Sequence, residues 1–146
     1  MDVIDGVDLI DFFNGIMITE EVYLRYVFRK VIEALNQLHV AGVAHRDIKP
    51  DNVMLTHKFD IKLVDLGYGI ELTGRKNDGQ MTTVVGTKMY QPPEMLVDGP
   101  VSYKGSEIDI FSLGAMMLLV RLRAEPFEEA SVENDKQFKD LVENPK

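Results

Sequence analysis

The stretch HRDIKPDN, His45 to Asn52, decides how this chain folds, because thirteen residues after Asn52 comes Asp65 in the run LVDLG, Leu63 to Gly67. Together the two runs supply an acid to receive a hydroxyl proton, a lysine to meet phosphate charge, and an amide and a carboxylate to hold a divalent metal. A histidine, arginine and aspartate in a row would mean little alone, since three adjacent polar residues usually belong to a solvated turn. Their continuation through Asn52 and the second run at short distance make a pattern that carries chemistry.

All eight positions resemble the catalytic loop HRDxKxxN of eukaryotic protein kinases, and Asp65-Leu66-Gly67 resembles their metal-binding loop DFG. Further motifs follow in the family's order: Gly86-Thr87, Pro92-Pro93-Glu94 where APE is usual, and DIFSLG from Asp109 to Gly114. The resemblance is to serine/threonine kinases, in a general way to the calcium/calmodulin-dependent and related type. It implies that Asp47 orients a substrate hydroxyl and accepts its proton, and that Lys49 meets the transferring phosphoryl group. Asn52 and Asp65 would hold magnesium against the phosphates of ATP, and Thr87 would bond towards Asp47 and Lys49. Lys49 and Thr87 also separate the chain from tyrosine kinases.

The same resemblance assigns supporting roles. His45 supports the loop rather than acting as a base, and Asp109 holds the loop's backbone. Arg46 pairs with an activation-loop phosphate, whose site would be Thr83, with Thr82 as the neighbouring alternative, modified by an upstream kinase. Leu66 replaces the usual phenylalanine and is expected to pack beneath the metal site. Glu94 is expected to be a buried carboxylate whose arginine partner belongs to a late helix. Leu113, Met116, Met117, Leu118 and Leu119 are expected in the core.

The N-terminal segment MDVIDGVDLIDFF resembles the hinge entering the first helix of a kinase large lobe. By that likeness Asp2 and Ile4 face adenine, Asp8 lies near the ribose hydroxyls, and Met54 forms the floor beneath the base. The resemblance spans residues 1–146, yet these contain no glycine-rich loop and no VAIK-type lysine before the hinge. The expectation is therefore a partial kinase domain, from the hinge to shortly after the central helix, with the small lobe and the last helices missing. Its fold class would be α+β, a mainly helical large lobe with short β-hairpins.

Composition is compatible with one compact unit. The chain has 146 residues, 45% of them hydrophobic, enough to bury a core without room for a second full domain. A formal charge of −8 argues against a nucleic-acid surface, which needs clustered Lys and Arg. The sequence has no cysteine, so disulfides and thiolate metal sites are excluded, which is compatible with a cytoplasmic location. The longest apolar stretch, residues 113–120, is far too short to span a bilayer.

Periodicity fills in the elements. Thr19 can cap a helix whose first turn carries Glu20 and Glu21, and Val22, Tyr26, Val27, Val31, Ala34, Leu35 and Leu38 form one apolar stripe that ends before Gly42. Val53–Leu55 and Ile61–Asp65 read as a hairpin that brings Asn52 towards Asp65. The long polar segment from Gly67 to Pro93 reads as a functional loop, the counterpart of the activation segment. Two functions follow: a serine/threonine kinase acting on protein hydroxyls, here incomplete, or a catalytically inactive kinase-like lobe that serves as a protein-interaction module.

Overall fold

A computed structural model describes residues 5–15, 21–74 and 78–144. Asp2, Ile4, Thr19 and Glu20 lie outside the described residues. Strand β1 (Gly6–Asp8) leads into helix α1 (Leu9–Gly15), where the Asp8 carboxylate accepts the Asp11 amide at 2.7 Å and so caps the first turn. Helix α2 (Glu21–Val40) buries Val27, Phe28, Val31 and Leu35. The stripe read from sequence needs correcting at its start, because Val22 and Tyr26 are 71% and 43% exposed while Phe28 is buried. The helix's first turns overhang the core, and the 3.6-residue period brings Phe28 round to the face of Val31 and Leu35. Gly42 ends the helix as expected: its φ of 81° suits glycine, and its N–H donates to the His39 carbonyl.

Beyond α2 come β2 (Val43–Ala44), the loop 45–52, then β3 (Val53–Thr56) and β4 (Ile61–Leu63). The last two form the expected antiparallel hairpin, with Val53 opposite Leu63 and Leu55 opposite Ile61. Strand β1 adds to its other edge in the order β1-β3-β4, placing Asp8 opposite Met54. A separate pair joins β2 to β5 (Ile70–Glu71). The segment 67–93 is thus tied down at β5, and again where Met81 pairs with Tyr103.

Helix α3 (Gly105–Leu122) buries one broad face that includes Ile108, Asp109, Ser112, Leu113, Ala115, Met116 and Val120, and α4 (Lys136–Glu143) packs Phe138 edge-on against Phe127. The main core joins Leu9, the buried face of α2, Ile48, Val53, Met116 and Phe127. A second cluster of Ala44, Met81, Met95, Val101, Tyr103 and Ile108 lies under the long segment. Leu113 and Met116 are core as expected, but Met117 and Leu118 are 38% and 36% exposed. They face a groove of about 800 Å³ between α2, α3 and α4, where Phe28 and Leu141 also lie.

Among the described residues, no helix is long and apolar enough to cross a membrane. The architecture is the α+β lobe expected from the sequence, helical with small antiparallel sheets.

Candidate functional site

The loop 45–52 sits between the two cores because its backbone has no ladder to bond to and borrows one side chain instead. Asp109, fully buried on α3, accepts the Arg46 amide at 2.7 Å on one oxygen. Its other oxygen accepts the His45 amide at 2.9 Å and the His39 ring at 2.8 Å. One carboxylate therefore satisfies three donors that would otherwise be costly to bury. His45 is itself structural. Its Nδ1 accepts the Asp47 amide at 3.3 Å, which leaves Nε2 to donate to the Val64 carbonyl at 2.9 Å and ties the loop to the end of the hairpin.

Asp47, 6% exposed, is engaged on both carboxylate oxygens. Oδ1 accepts the amide and the hydroxyl of Thr87, each at 3.0 Å. Oδ2 accepts the Asn52 amide nitrogen at 3.0 Å and stands 3.2 Å from Lys49 Nζ. Lys49 Nζ donates in turn to Thr87 Oγ1 at 3.0 Å. Thr87 reaches this place because Gly86, at φ 87°, passes the Arg46 carbonyl so closely that an added Cβ would stand 2.5 Å from that oxygen. The loop and the long segment meet on one carboxylate.

Asn52 spends both donors of its amide on Asp47, at the main-chain oxygen (2.8 Å) and at Oδ2. Its own Oδ1 is left as an acceptor. The Val64 amide bonds the Asn52 carbonyl at 3.0 Å, so the hairpin places Asp65 one residue beyond Asn52's partner. Asp65 leaves the strand in the left-handed region at φ 58°, and its Oδ1 accepts the Gly67 amide at 3.2 Å. An amide oxygen and an exposed carboxylate, both hard donors, suit magnesium completed by water and phosphate. Among the described residues there is no group of three or more His, Cys, Asp or Glu able to hold a metal by itself.

Two expectations need correction here. Leu66 is half exposed and packs beneath nothing, because the turn Leu66–Tyr68 that follows Asp65 buries no residue. Glu94 is exposed too: in the turn Pro93–Met95 it is Met95 that faces the core. Neither Thr82 nor Thr83 is buried, and Arg46 gives its Nε to the Tyr68 carbonyl at 2.7 Å and Nη1 to the Tyr103 hydroxyl at 3.2 Å. Met54 is half-buried on β3, and Asp8 has one oxygen occupied as a helix cap.

Sequence reading missed Tyr90, His39 and Tyr103. Burial, reinforced by the charges of Asp51, Glu125 and Asp47, pushes the Tyr90 hydroxyl well above its ordinary range. His39 and Tyr103 lie 70 and 57 residues from their partners, so no local spacing announces them.

The sequence pattern of the protein kinase domain matches residues 1–144. Sperm motility kinase 2B of Mus musculus is 29% identical over 133 residues, 91% of this chain and 26% of that protein. Serine/threonine-protein kinase CHK1 of Saccharomyces cerevisiae is 32% identical, covering 99% of this chain and 27% of its own length. The PAS domain-containing serine/threonine-protein kinase of Mus musculus is 34% identical over 85% of this chain and 9% of its own. The chain spans about a quarter or less of the length of these relatives.

Proposed function

Because the chain belongs to the protein kinase domain family, we propose that it is the large-lobe part of a serine/threonine kinase transferring the γ-phosphoryl group of ATP to Ser and Thr hydroxyls of protein substrates. One observation carries this reading: the Asp47 carboxylate is held at once by Thr87, Asn52 and Lys49. A solvated aspartate needs no such cradle. A carboxylate that must take one particular proton does, since rate depends on orientation.

In this reading Asp47 orients the incoming hydroxyl and takes its proton as the oxygen bonds to the γ-phosphorus and the bond to ADP breaks. Lys49, already beside Asp47, places its charge where the phosphoryl group crosses. Asn52 and Asp65 would hold magnesium, which neutralises the phosphates when bound. Thr87 keeps the Asp47 carboxylate from rotating. Asp2, Ile4, Asp8 and Met54 would receive the nucleoside, and phosphate placed on Thr83 by an upstream kinase would approach Arg46. A cytoplasmic location belongs to the same reading. The groups that grip the α- and β-phosphates in the family, a glycine-rich loop and a strand lysine, would come from a small lobe.

The test joins residues 1–146 to a kinase small lobe and measures transfer of labelled γ-phosphate to a Ser/Thr peptide with magnesium, beside the Asp47→Asn variant. Transfer that the variant abolishes supports the proposal. A folded chimaera that binds magnesium-ATP neither before nor after the substitution would favour the second reading, an inactive kinase-like lobe that works by binding other proteins.

A further inference from the structure

We propose that Tyr103 is a positioning residue, whose hydroxyl fastens the segment ahead of Gly86 to Arg46 and so keeps Thr87 on Asp47 without any phosphate on that segment. The hydroxyl donates to the Thr83 carbonyl at 2.5 Å and accepts from Arg46 Nη1 at 3.2 Å. Both of its hydrogen-bonding functions are therefore used, one on each side of the site. The ring is 3% exposed and packs in the second core among Ala44, Met81, Met95, Val101 and Ile108, which fixes where the hydroxyl stands. The backbone of Tyr103 adds two bonds to Met81, at 2.8 and 3.0 Å.

The consequence lies in where the ends of residues 83–87 are tied. Thr83 is joined through Tyr103 to Arg46, and Thr87 is joined to Asp47, the next residue along the loop. A span of five residues with both ends on adjacent loop residues has little freedom left, and the pin at Thr87 gains from the one at Thr83. Arg46 is an apt anchor. It is 9% exposed, its φ of 66° is unusual for a residue with a side chain, and Asp109 and Tyr68 hold it from the other side. The guanidinium also borders a cavity of about 210 Å³ lined by Thr82, Thr83, Asp78 and Ser102. The Thr83 contact uses main-chain oxygen, so it does not depend on the threonine side chain or on its modification. The catalytic benefit rests on the kinase reading above, whereas the tether itself does not.

The test compares backbone amide exchange in the 146-residue chain, its Tyr103→Phe variant and its Thr83→Ala variant, with thermal melts of each. Phenylalanine keeps the packed ring and removes only the hydroxyl. The expected result is exchange about tenfold faster over residues 82–87 in Tyr103→Phe, a nearly unchanged melt, and parent-like exchange in Thr83→Ala. Arg46→Gln, which removes the other end of the link, should loosen the same residues and serves should Tyr103→Phe fail to melt cooperatively. Parent-like exchange over 82–87 in the hydroxyl-less variant, or loosening by Thr83→Ala as large as by Tyr103→Phe, would overturn the proposal. In the small-lobe chimaera Tyr103→Phe should lower kcat for a peptide with KM for ATP unchanged. A chimaera without transfer, whose exchange still responds as above, would count against the kinase reading and leave the tether standing.

Discussion

The backbone amide and the side-chain hydroxyl of Thr87 reach the same carboxylate oxygen of Asp47, each at 3.0 Å. The amide contact survives substitution at 87 by any residue but proline, and the hydroxyl contact is lost unless the new residue carries a hydroxyl, so the two can be separated. In the small-lobe chimaera, Thr87→Val should lower kcat about 10- to 100-fold, as expected for losing one bond to a charged group worth about 1.5–3 kcal/mol. Thr87→Ser should restore most of it. Steady-state kinetics with a Ser/Thr peptide would check this, and a Val variant as fast as the parent would remove Thr87 from the site.

Asp109 should matter to stability before it matters to chemistry. Asp109→Ala leaves the His45 and Arg46 amides and the His39 ring without their acceptor in a buried place. At about 1–3 kcal/mol for each unsatisfied donor, a loss of about 3 kcal/mol or more is expected. Urea unfolding of the 146-residue chain measures it.

Asp135 gives a pH signature. Burial pushes its carboxyl up, but the amides of Phe138, Glu128 and Glu129 outweigh that and hold it below the ordinary value of 3.8. A carboxyl with a depressed folded value stabilises the fold above pH 3.8, and that contribution is lost as pH falls through the folded value. Asp135→Asn should therefore lower stability by about 1 kcal/mol at neutral pH, the size of a lost helix cap. Thermal melts of the two proteins should converge in acid, and a gap that stayed constant down to pH 2 would contradict the assignment.

The 146-residue chain by itself should be nearly inactive towards peptides. Its loop is assembled, but its 146 residues include neither the glycine-rich loop nor the strand lysine that grip the α- and β-phosphates in the family, and holding ATP in line with a hydroxyl is worth about 7–11 kcal/mol. A radiometric assay showing transfer at about 1–100 per second, the usual kinase range, would refute this.

What could be read from sequence was whatever lies close along the chain. His45 to Asn52 and Asp65 are near neighbours, so their shared purpose shows in spacing alone, and the hairpin between them follows from two short apolar runs. Gly42 announced the end of α2 by its residue type. Contacts across the fold were legible only through the resemblance, as with Asp109 and Thr87, or not at all, as with Tyr103, since nothing local marks a tyrosine whose partners come from two other loops. Side-chain burial was the least legible. Val22 and Tyr26 sit at helical intervals suited to a core, and Met117 and Leu118 lie in a continuous apolar run, yet all four are exposed, because pattern and composition do not say what covers a face. Leu66 and Glu94 failed for a related reason: family habit named their neighbours, but the turn Leu66–Tyr68 buries no residue and the turn Pro93–Met95 buries Met95 instead.

The most direct measurement is nucleotide affinity, with and without magnesium, for Asp47→Asn and Asp65→Asn in the chimaera. Asp47 is assigned to the hydroxyl, so its variant should bind magnesium-ATP like the parent while losing transfer. Asp65 is assigned to the metal, so its variant should lose transfer and also the gain in affinity that magnesium brings. An Asp65→Asn protein that binds magnesium-ATP like the parent, beside an Asp47→Asn protein that does not, would contradict the account.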